Sequence, residues 1–519
     1  METARMLLDK IRSGQIITQD QLELEKIKIA AGQPLIKNSD IAALLKPEDV
    51  DYKHLRNFLK IKNIRTASGV ANIAVMWLNQ KHEYSCPFSC VYCPQGAIRD
   101  ADGGVQLIAP KSYTGVEPTT LRAIRNGFDP FLQVSNRTNQ LNIIGHPTDK
   151  CELIIMGGTF MATPLAFQDE FVKRCLDAFN GVNSETLGEA QLKNETAANR
   201  CIGLTIETRA DYCSQHQIDQ MLQLGCTRVE IGVQSTDEQL LMDTKRGHGV
   251  DANIDAIRLL KENGIKVCVH WMPGLTGLYG NIDEEKEIEM FRQLFSNPDY
   301  MPDEIKIYPT LVIPGTELHE MWKSGAYTPL SNDQMIKLLI EFKKIVPSFV
   351  RIKRVMRDIS EHKPEAGAKT TNLRQLANIQ MKKEGILCRC IRCREIGHVS
   401  DINEPNLQVT EYEASGGREF FISFENENAL FAFLRLRIDN STTAKIRELH
   451  VYGSMVPISE PSTGNWQHKG LGKHLMEKAE QIAREHNKTN ISVTSGIGVR
   501  MYYRMLGYIL EGPYMVKNI

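Results

Sequence analysis

No stretch of the 519 residues approaches the roughly 18 uninterrupted apolar positions that a bilayer-spanning helix needs, so no membrane segment is expected. The opening "METARMLLDKIRSGQ" has no long apolar run, which argues against a secretory signal. Charge of one sign is missing too. Against 62 Lys and Arg stand 63 Asp and Glu, and a net charge of −1 neither favours nor excludes a nucleic-acid partner. Internal repeats and low-complexity segments are absent, which removes repeat architectures. The twelve cysteines are expected as reduced, cytoplasmic thiols rather than a disulfide framework. Half of them fall in two tight clusters, 86/90/93 and 388/390/393. The other six are single and suit packed apolar positions.

What is present exceeds one compact core, and two or three domains are expected. Residues 1–65 read as a helical region, with short apolar periods such as "DQLELEKIKIAAG". From 66 to 340, short apolar runs ("CELIIMGGTF", "CIGLTIETRA", "TRVEIGVQS", "IKVCVHWMPG", "DEIKIYPTLV") alternate with amphipathic stretches, several ending in Gly. Repeated strand–helix units imply a parallel sheet covered by helices, here a full or partial α/β barrel, with its chemistry at the C-terminal strand ends. Residues 341–400 read as a basic linker; up to residue 396 it carries fourteen Lys and Arg against six acids. From 401 to 519 alternating strands ("REFFISFEN", "ALFAFLRLRI", "KIRELHVYG") precede one strong helix, "GLGKHLMEKAEQIAREHN". The fold class is therefore α/β, a partial barrel followed by a smaller α+β domain.

"HEYSCPFSCVYCPQG" holds Cys86, Cys90 and Cys93. A closed zinc site takes four protein ligands. An iron–sulfur cube on three thiolates leaves one iron open, the vacancy that radical S-adenosylmethionine (SAM) chemistry requires. Tyr92 suits a place near the adenine. Zinc with His82 as fourth ligand is the alternative. Each following run ends in groups suited to the same ligand: Gly157-Gly158-Thr159, Glu207-Thr208-Arg209, Gln234-Ser235 and Met272-Pro273-Gly274. Bare backbone at Gly157 and Gly158 can approach an amino group, and Glu207 and Gln234 offer polar contacts. If they are not ligand contacts, all four are ordinary loop chemistry.

In the last domain, Gln467, Gly470 and Gly472 stand just before the long helix, where free backbone N–H groups favour a pyrophosphate. Strand, Gly loop, helix, strand and a closing "YYRMLGY" form the acetyl-CoA pattern of the GNAT acetyltransferase fold. Tyr503 falls where that fold often places a tyrosine near the thioester sulfur; its other role is a packed aromatic beside Leu506 and Tyr508. Cys388, Cys390 and Cys393, with His398 offered as fourth ligand, read as structural zinc. The surrounding bases read as a solvated face or a phosphate-binding one.

With "SYTGVEPTTLRAIRNGFDP", "MGGTFMA", "IETRADYC", "EIGVQS", "IKIYPTLVIPGTEL", "RELHVYGS" and "GPYMVK", the chain from about residue 70 onward resembles the catalytic subunit of Elongator, the tRNA wobble-uridine carboxymethyl synthases. The resemblance implies that Cys86, Cys90 and Cys93 bind a [4Fe-4S] cluster. It implies acetyl-CoA contacts at Lys150, Glu448, Leu449, His450, Val451, Leu471, Gly472, Lys473 and Tyr503. Lys150 and Tyr503 would be the catalytic pair. It further implies a 5′-deoxyadenosyl radical that activates the acetyl methyl, addition to C5 of the anticodon uridine, and thioester hydrolysis. The partners implied are the tRNA anticodon stem-loop and an electron donor. The three-residue gap between Cys86 and Cys90, and "CPQG" for "CPGG", look like the prokaryotic stand-alone form, which would not require other Elongator subunits. A homo-oligomer stays open. The rival readings are a protein lysine acetyltransferase with a structural iron–sulfur half, and a tRNA-binding scaffold without turnover.

Overall fold

The computed structural model describes residues 2–30, 36–46, 48–59, 69–78, 86–99, 105–396, 404–453 and 470–519. Four short helices, Glu2–Arg12, Gln19–Ala30, Asn38–Ala42 and Tyr52–Phe58, come first. Leu7, Leu8, Leu22, Ile41 and Leu55 close them around a small core of their own.

The strands that follow are β1 Ala71–Met76, a small hairpin β2 Ala97–Arg99 and β3 Val105–Leu107, then β4 Lys150–Met156, β5 Arg200–Thr208, β6 Arg228–Gln234, β7 Lys266–Trp271, β8 Glu304–Ile307 and β9 Arg351–Val355. Seven of them form one sheet in the order β1-β4-β5-β6-β7-β8-β9. Every neighbouring pair is parallel. Among the described residues no pairing joins β9 back to β1, so the barrel is open. The apolar runs of the sequence are these strands. β9, "RIKRV", lies inside the stretch expected as a linker; its alternation of base and apolar residue marks a barrel strand.

Helices form where local chemistry dictates. Asp129 accepts from Leu132 N and Pro130 opens the helix Pro130–Ile143. Ser331 and Gln334 form a capping box on Asn332–Ile345. Gly181, at φ 72°, ends Leu165–Asn180. The outward side chains of β4, namely Cys151, Leu153 and Ile155, pack under these helices. Its inward Glu152 meets a different environment. Arg228, Glu304 and Lys353 approach one another around it. The barrel interior is thus a ladder of paired charges rather than layers of aliphatic side chains.

The last domain is a seven-stranded sheet of β10 Asn406–Ala414, β11 Gly417–Glu425, β12 Leu430–Ile438, β13 Thr443–Val451, β14 Asn490–Val493, β15 Ile509–Glu511 and β16 Tyr514–Asn518. The order is β10-β11-β12-β13-β14-β16-β15, with β13 and β14 parallel and the other pairs antiparallel. One face carries Ile422, Leu434, Leu436 and Ile446 against the helix Leu471–Glu485. The other face, with Phe421, Phe431, Phe433 and Tyr452, joins the main core and sits on the N-terminal end of the barrel. The two domains therefore share a floor. No helix among the described residues is long and apolar enough to cross a membrane.

Candidate active site

Cys86, Cys90 and Cys93 lie on a loop held over the C-terminal strand ends by groups from the segments that follow several strands. Lys111 Nζ donates to the carbonyls of Cys86 (2.8 Å) and Phe88 (3.2 Å). Val91 N donates to Thr244 O at 3.1 Å, and Leu318 N to Val91 O at 2.8 Å. The Phe88 ring lies 3.7 Å from the Arg209 guanidinium carbon. A Cβ on Gly247 would fall 2.3 Å from that ring, so only glycine admits it. Buried Arg246 places Nη1 3.8 Å from Cys90 Sγ while Nη2 donates to Gly232 O at 2.7 Å. A Cβ on Gly232 would meet that Nη2 at 2.6 Å. Ser112 Oγ stands 3.5 Å from Cys93 Sγ.

Among the described residues two groups bring three metal-ligating atoms within 4.8 Å of one another: Cys388/Cys390/Cys393 and Glu207/Glu230/His270. Cys86, Cys90 and Cys93 are not such a group. A single ion needs its donors around one point, whereas a four-iron cube presents a separate iron to each thiolate. The wider spacing of the first trio suits the cube. His82, the alternative fourth ligand, lies outside the described residues.

Around this loop several buried polar atoms lack a protein partner: Trp77 Nε1, the Tyr92 hydroxyl, Thr208 Oγ1, Arg209 Nη1, Gln234 Oε1 and Thr310 Oγ1. Buried polar atoms of this kind are satisfied by a bound ligand or by ordered water. Gln234 holds φ 68°, and Gly157 and Gly158 hold 131° and 81°. A Cβ on Gly157 would stand 2.7 Å from Trp77 Nε1. These donors, the Gln234 acceptor and this bare backbone fit SAM. Glu207 is already engaged: Tyr113 OH donates to it at 2.7 Å and Lys306 Nζ lies 4.0 Å away.

Below the rim, Lys306 pairs with Glu230, whose Oε2 also lies 3.1 Å from His270 Nε2. Burial would raise the Glu230 carboxyl, but Lys306 and His270 hold it well below the carboxylate range. The cation position among Glu207, Glu230 and His270 thus belongs to an ammonium. Glu152 likewise sits at about 2 because Arg228 and Lys353 outweigh its burial.

In the last domain Gly470, at φ 82°, caps the helix Leu471–Glu485. A Cβ on Gly472 would meet the Tyr502 hydroxyl at 2.9 Å and Val451 Cγ2 at 3.7 Å, so the helix start faces β13. Lys473 is exposed beside Glu477. Leu449 and Leu471 pack on the domain core, and the His450 ring lies tilted against Tyr452 with centroids 4.3 Å apart. Glu448 is committed to Lys266 (2.5 Å) and Arg435 (2.9 Å). Tyr503 is buried edge-on between Tyr502 and Tyr508. Lys150 opens β4 at the barrel's N-terminal end, the same end on which β13 sits, and burial lowers its pKa against the pull of Asp149. Gln467 lies outside the described residues.

Cys388, Cys390 and Cys393 converge at the junction of the two domains. Buried Lys343 donates to Cys393 Sγ at 3.4 Å, and Ile391 N bonds Val350 O just before β9. His398 is outside the described residues. Sequence reasoning passed over Lys111, Arg246, Glu230, His270 and Lys306. The one signal for Arg246 is its place before Gly247 in the "TKRGHG" turn that follows β6, whereas the lumen charges emerge only from strand register.

Residues 82–291 match the Radical SAM superfamily, 302–384 the Radical_SAM C-terminal domain, and 391–508 the Acetyltransferase (GNAT) family. The tRNA uridine(34) acetyltransferase of Methanocaldococcus jannaschii is 46% identical over 99% of this chain and 96% of that protein. The Elongator complex protein 3 of Homo sapiens is 44% identical over 100% of this chain and 96% of that protein. The structure of Methanocaldococcus infernus Elp3 with an N-terminal deletion superposes with a TM-score of 0.75 at 44% identity, covering 88% of this chain and 100% of that one.

Proposed function

The chain belongs to the family of tRNA uridine(34) acetyltransferases and Elongator complex protein 3, and we propose on that footing that it converts the wobble uridine of tRNA to its 5-carboxymethyl form, using SAM and acetyl-CoA. The observation that carries the reading is the pairing, in one chain, of a three-cysteine loop among orphaned polar groups with a Gly-capped helix facing a bulged strand.

Cys86, Cys90 and Cys93 would hold the [4Fe-4S] cluster, which with bound SAM supplies one-electron carbon–sulfur cleavage and hence hydrogen abstraction. The chain's own residues set the geometry. Arg246 places a fixed positive charge beside Cys90. Gly157 and Gly158 leave backbone for the amino group of the sulfonium ligand, and Thr208 and Gln234 offer their unpartnered oxygens. At the other end Gly470 to Lys473 receive the pyrophosphate, and Glu448 to Val451 run beside the pantetheine arm. Lys150 steadies the CoA end, and Tyr503 assists at the thioester.

The basic stretch 341–396 binds tRNA phosphates, and the first 65 residues add contacts. An unstacked anticodon uridine then enters the barrel mouth. Cys388, Cys390 and Cys393 bind a structural metal, read as zinc, that secures the domain junction. Other Elongator subunits are not required; an electron donor is.

The test is anaerobic reconstitution with iron and sulfide, followed by SAM, dithionite, acetyl-CoA and unmodified tRNA. Both 5′-deoxyadenosine and 5-carboxymethyluridine are expected, and both are lost when the three cysteines are replaced. Peptide-lysine acetylation with neither product, on an assembled cluster, selects the acetyltransferase instead.

A further inference from the structure

β13 carries one residue more than its neighbour. Glu448 stands opposite Arg435 and Ile446 opposite Leu436, so Arg447 has no counterpart on β12. A bulge re-aims side chains, and here Arg447 and Glu448, successive in sequence, both reach the barrel floor. Arg447 makes two 2.7 Å bonds to Asp303, the residue before β8. Glu448 takes Lys266, the first residue of β7, at 2.5 Å.

On its other edge β13 pairs with β14 only from Thr443 to Ile446. β14 ends there, at Val493, while β13 runs on through the bulge to Val451. The chain leaving β14 rests on the same floor: a Cβ on Gly496 would fall 2.0 Å from Ile202 O, and one on Gly498 2.5 Å from the Arg200 side chain. Both are thus held from the barrel. A strand that runs on past the end of its parallel partner presents unpaired backbone groups to an extended, amide-bearing chain, as a pantetheine arm is.

We infer that Lys266 and Asp303, barrel residues, are positioning residues for the thioester end of acetyl-CoA: they fix the β13 bulge and so the backbone that receives the acetyl group. The inference rests on the acetyl-CoA reading above. Charges buried this completely gain little stability over an apolar packing, and a fixed geometry is what they add.

Lys266 keeps 14% of its side chain exposed, so its replacement is the milder probe. Calorimetric titration of the full chain, without SAM or tRNA, compares acetyl-CoA with CoA. Lys266→Met is expected to weaken acetyl-CoA about tenfold while CoA stays within about twofold, since only the acetyl end is misplaced. Lys266→Arg restores the preference. Unchanged acetyl-CoA affinity in Lys266→Met overturns the inference. So does a parallel loss for both ligands, which marks general loosening. A wild-type chain that binds neither ligand overturns the functional reading itself.

Discussion

Arg447 and Asp303 meet edge to edge as a two-bond fork, Nη1 to Oδ2 and Nη2 to Oδ1, each at 2.7 Å and neither side chain exposed. One group belongs to the acetyltransferase sheet, the other to the loop entering β8. Glu419, Arg435, Arg437 and Lys261 extend the pairing on either side. Burial would raise the Asp303 carboxyl, but Arg447 and Lys261 hold it well below its usual range.

Removing one member of this lattice leaves buried charge without a partner. Asp303→Ala is expected to cost about 3–5 kcal/mol, seen as a lower midpoint in urea followed by the fluorescence of both domains. Because the Asp303 pKa is depressed, its contribution is complete above about pH 4 and fades only as pH falls through the depressed value. A wild-type interface that loosens between pH 7 and 5 through Asp303 contradicts this.

Glu287 behaves in the opposite sense. Burial pushes its carboxyl up to about 7, against hydrogen bonds from Thr276 and Gly274. The folded state holds a proton that the unfolded chain releases near pH 4, so this stability is full below about pH 4 and declines until pH passes 7. Glu287→Gln, a permanent neutral mimic, is expected to gain on the order of 3 kcal/mol over wild type at pH 8 and little at pH 5. Melting curves at the two pH values decide it.

Gly157→Ala puts a methyl group 2.7 Å from Trp77 Nε1 at a φ of 131°. The strain is worth about 1–3 kcal/mol, and the displaced backbone is expected to weaken SAM binding at least tenfold, by equilibrium dialysis on the reconstituted protein. SAM affinity equal to wild type removes Gly157 from the site.

Cys90→Ser is expected to abolish reductive SAM cleavage while acetyl-CoA binding remains. Loss of both sinks the division of labour between the two halves.

Cys390→Ala is expected to lower bound metal by one equivalent, read by elemental analysis before iron is added, with a fall in melting temperature. An unchanged metal count overturns the structural-metal assignment for Cys388, Cys390 and Cys393.

Much of this architecture is legible in the chain. Runs such as "ELIIM" and "VEIGV" read as strands because the side chains under the helices, Leu153 and Ile155 or Val229, Ile231 and Val233, are apolar and mostly β-branched. Gly181 and Gly470 mark a helix end and a helix start at positive φ. What escapes the sequence depends on register. Glu152, Arg228 and Lys306 look like ordinary polar interruptions until strand pairing aligns them in the lumen. β9 hides among basic residues because its bases find acids on β4 and β8. The bulge at Arg447 leaves no mark at all, since an extra residue shows only against the partner strand.

Transplantation is where the shared floor has its sharpest consequence. A chimaera spliced near residue 400, with the acetyltransferase half taken from an unrelated GNAT protein, would take Arg435, Arg447 and Glu419 away and leave Asp303 and Lys261 only each other in a desolvated seam. A graft in the other direction would leave Arg435 to Glu448 and Arg447 to Glu419, without the aspartate that joins them. The workable unit of exchange is therefore the whole ion lattice, which no single cut in the chain can carry.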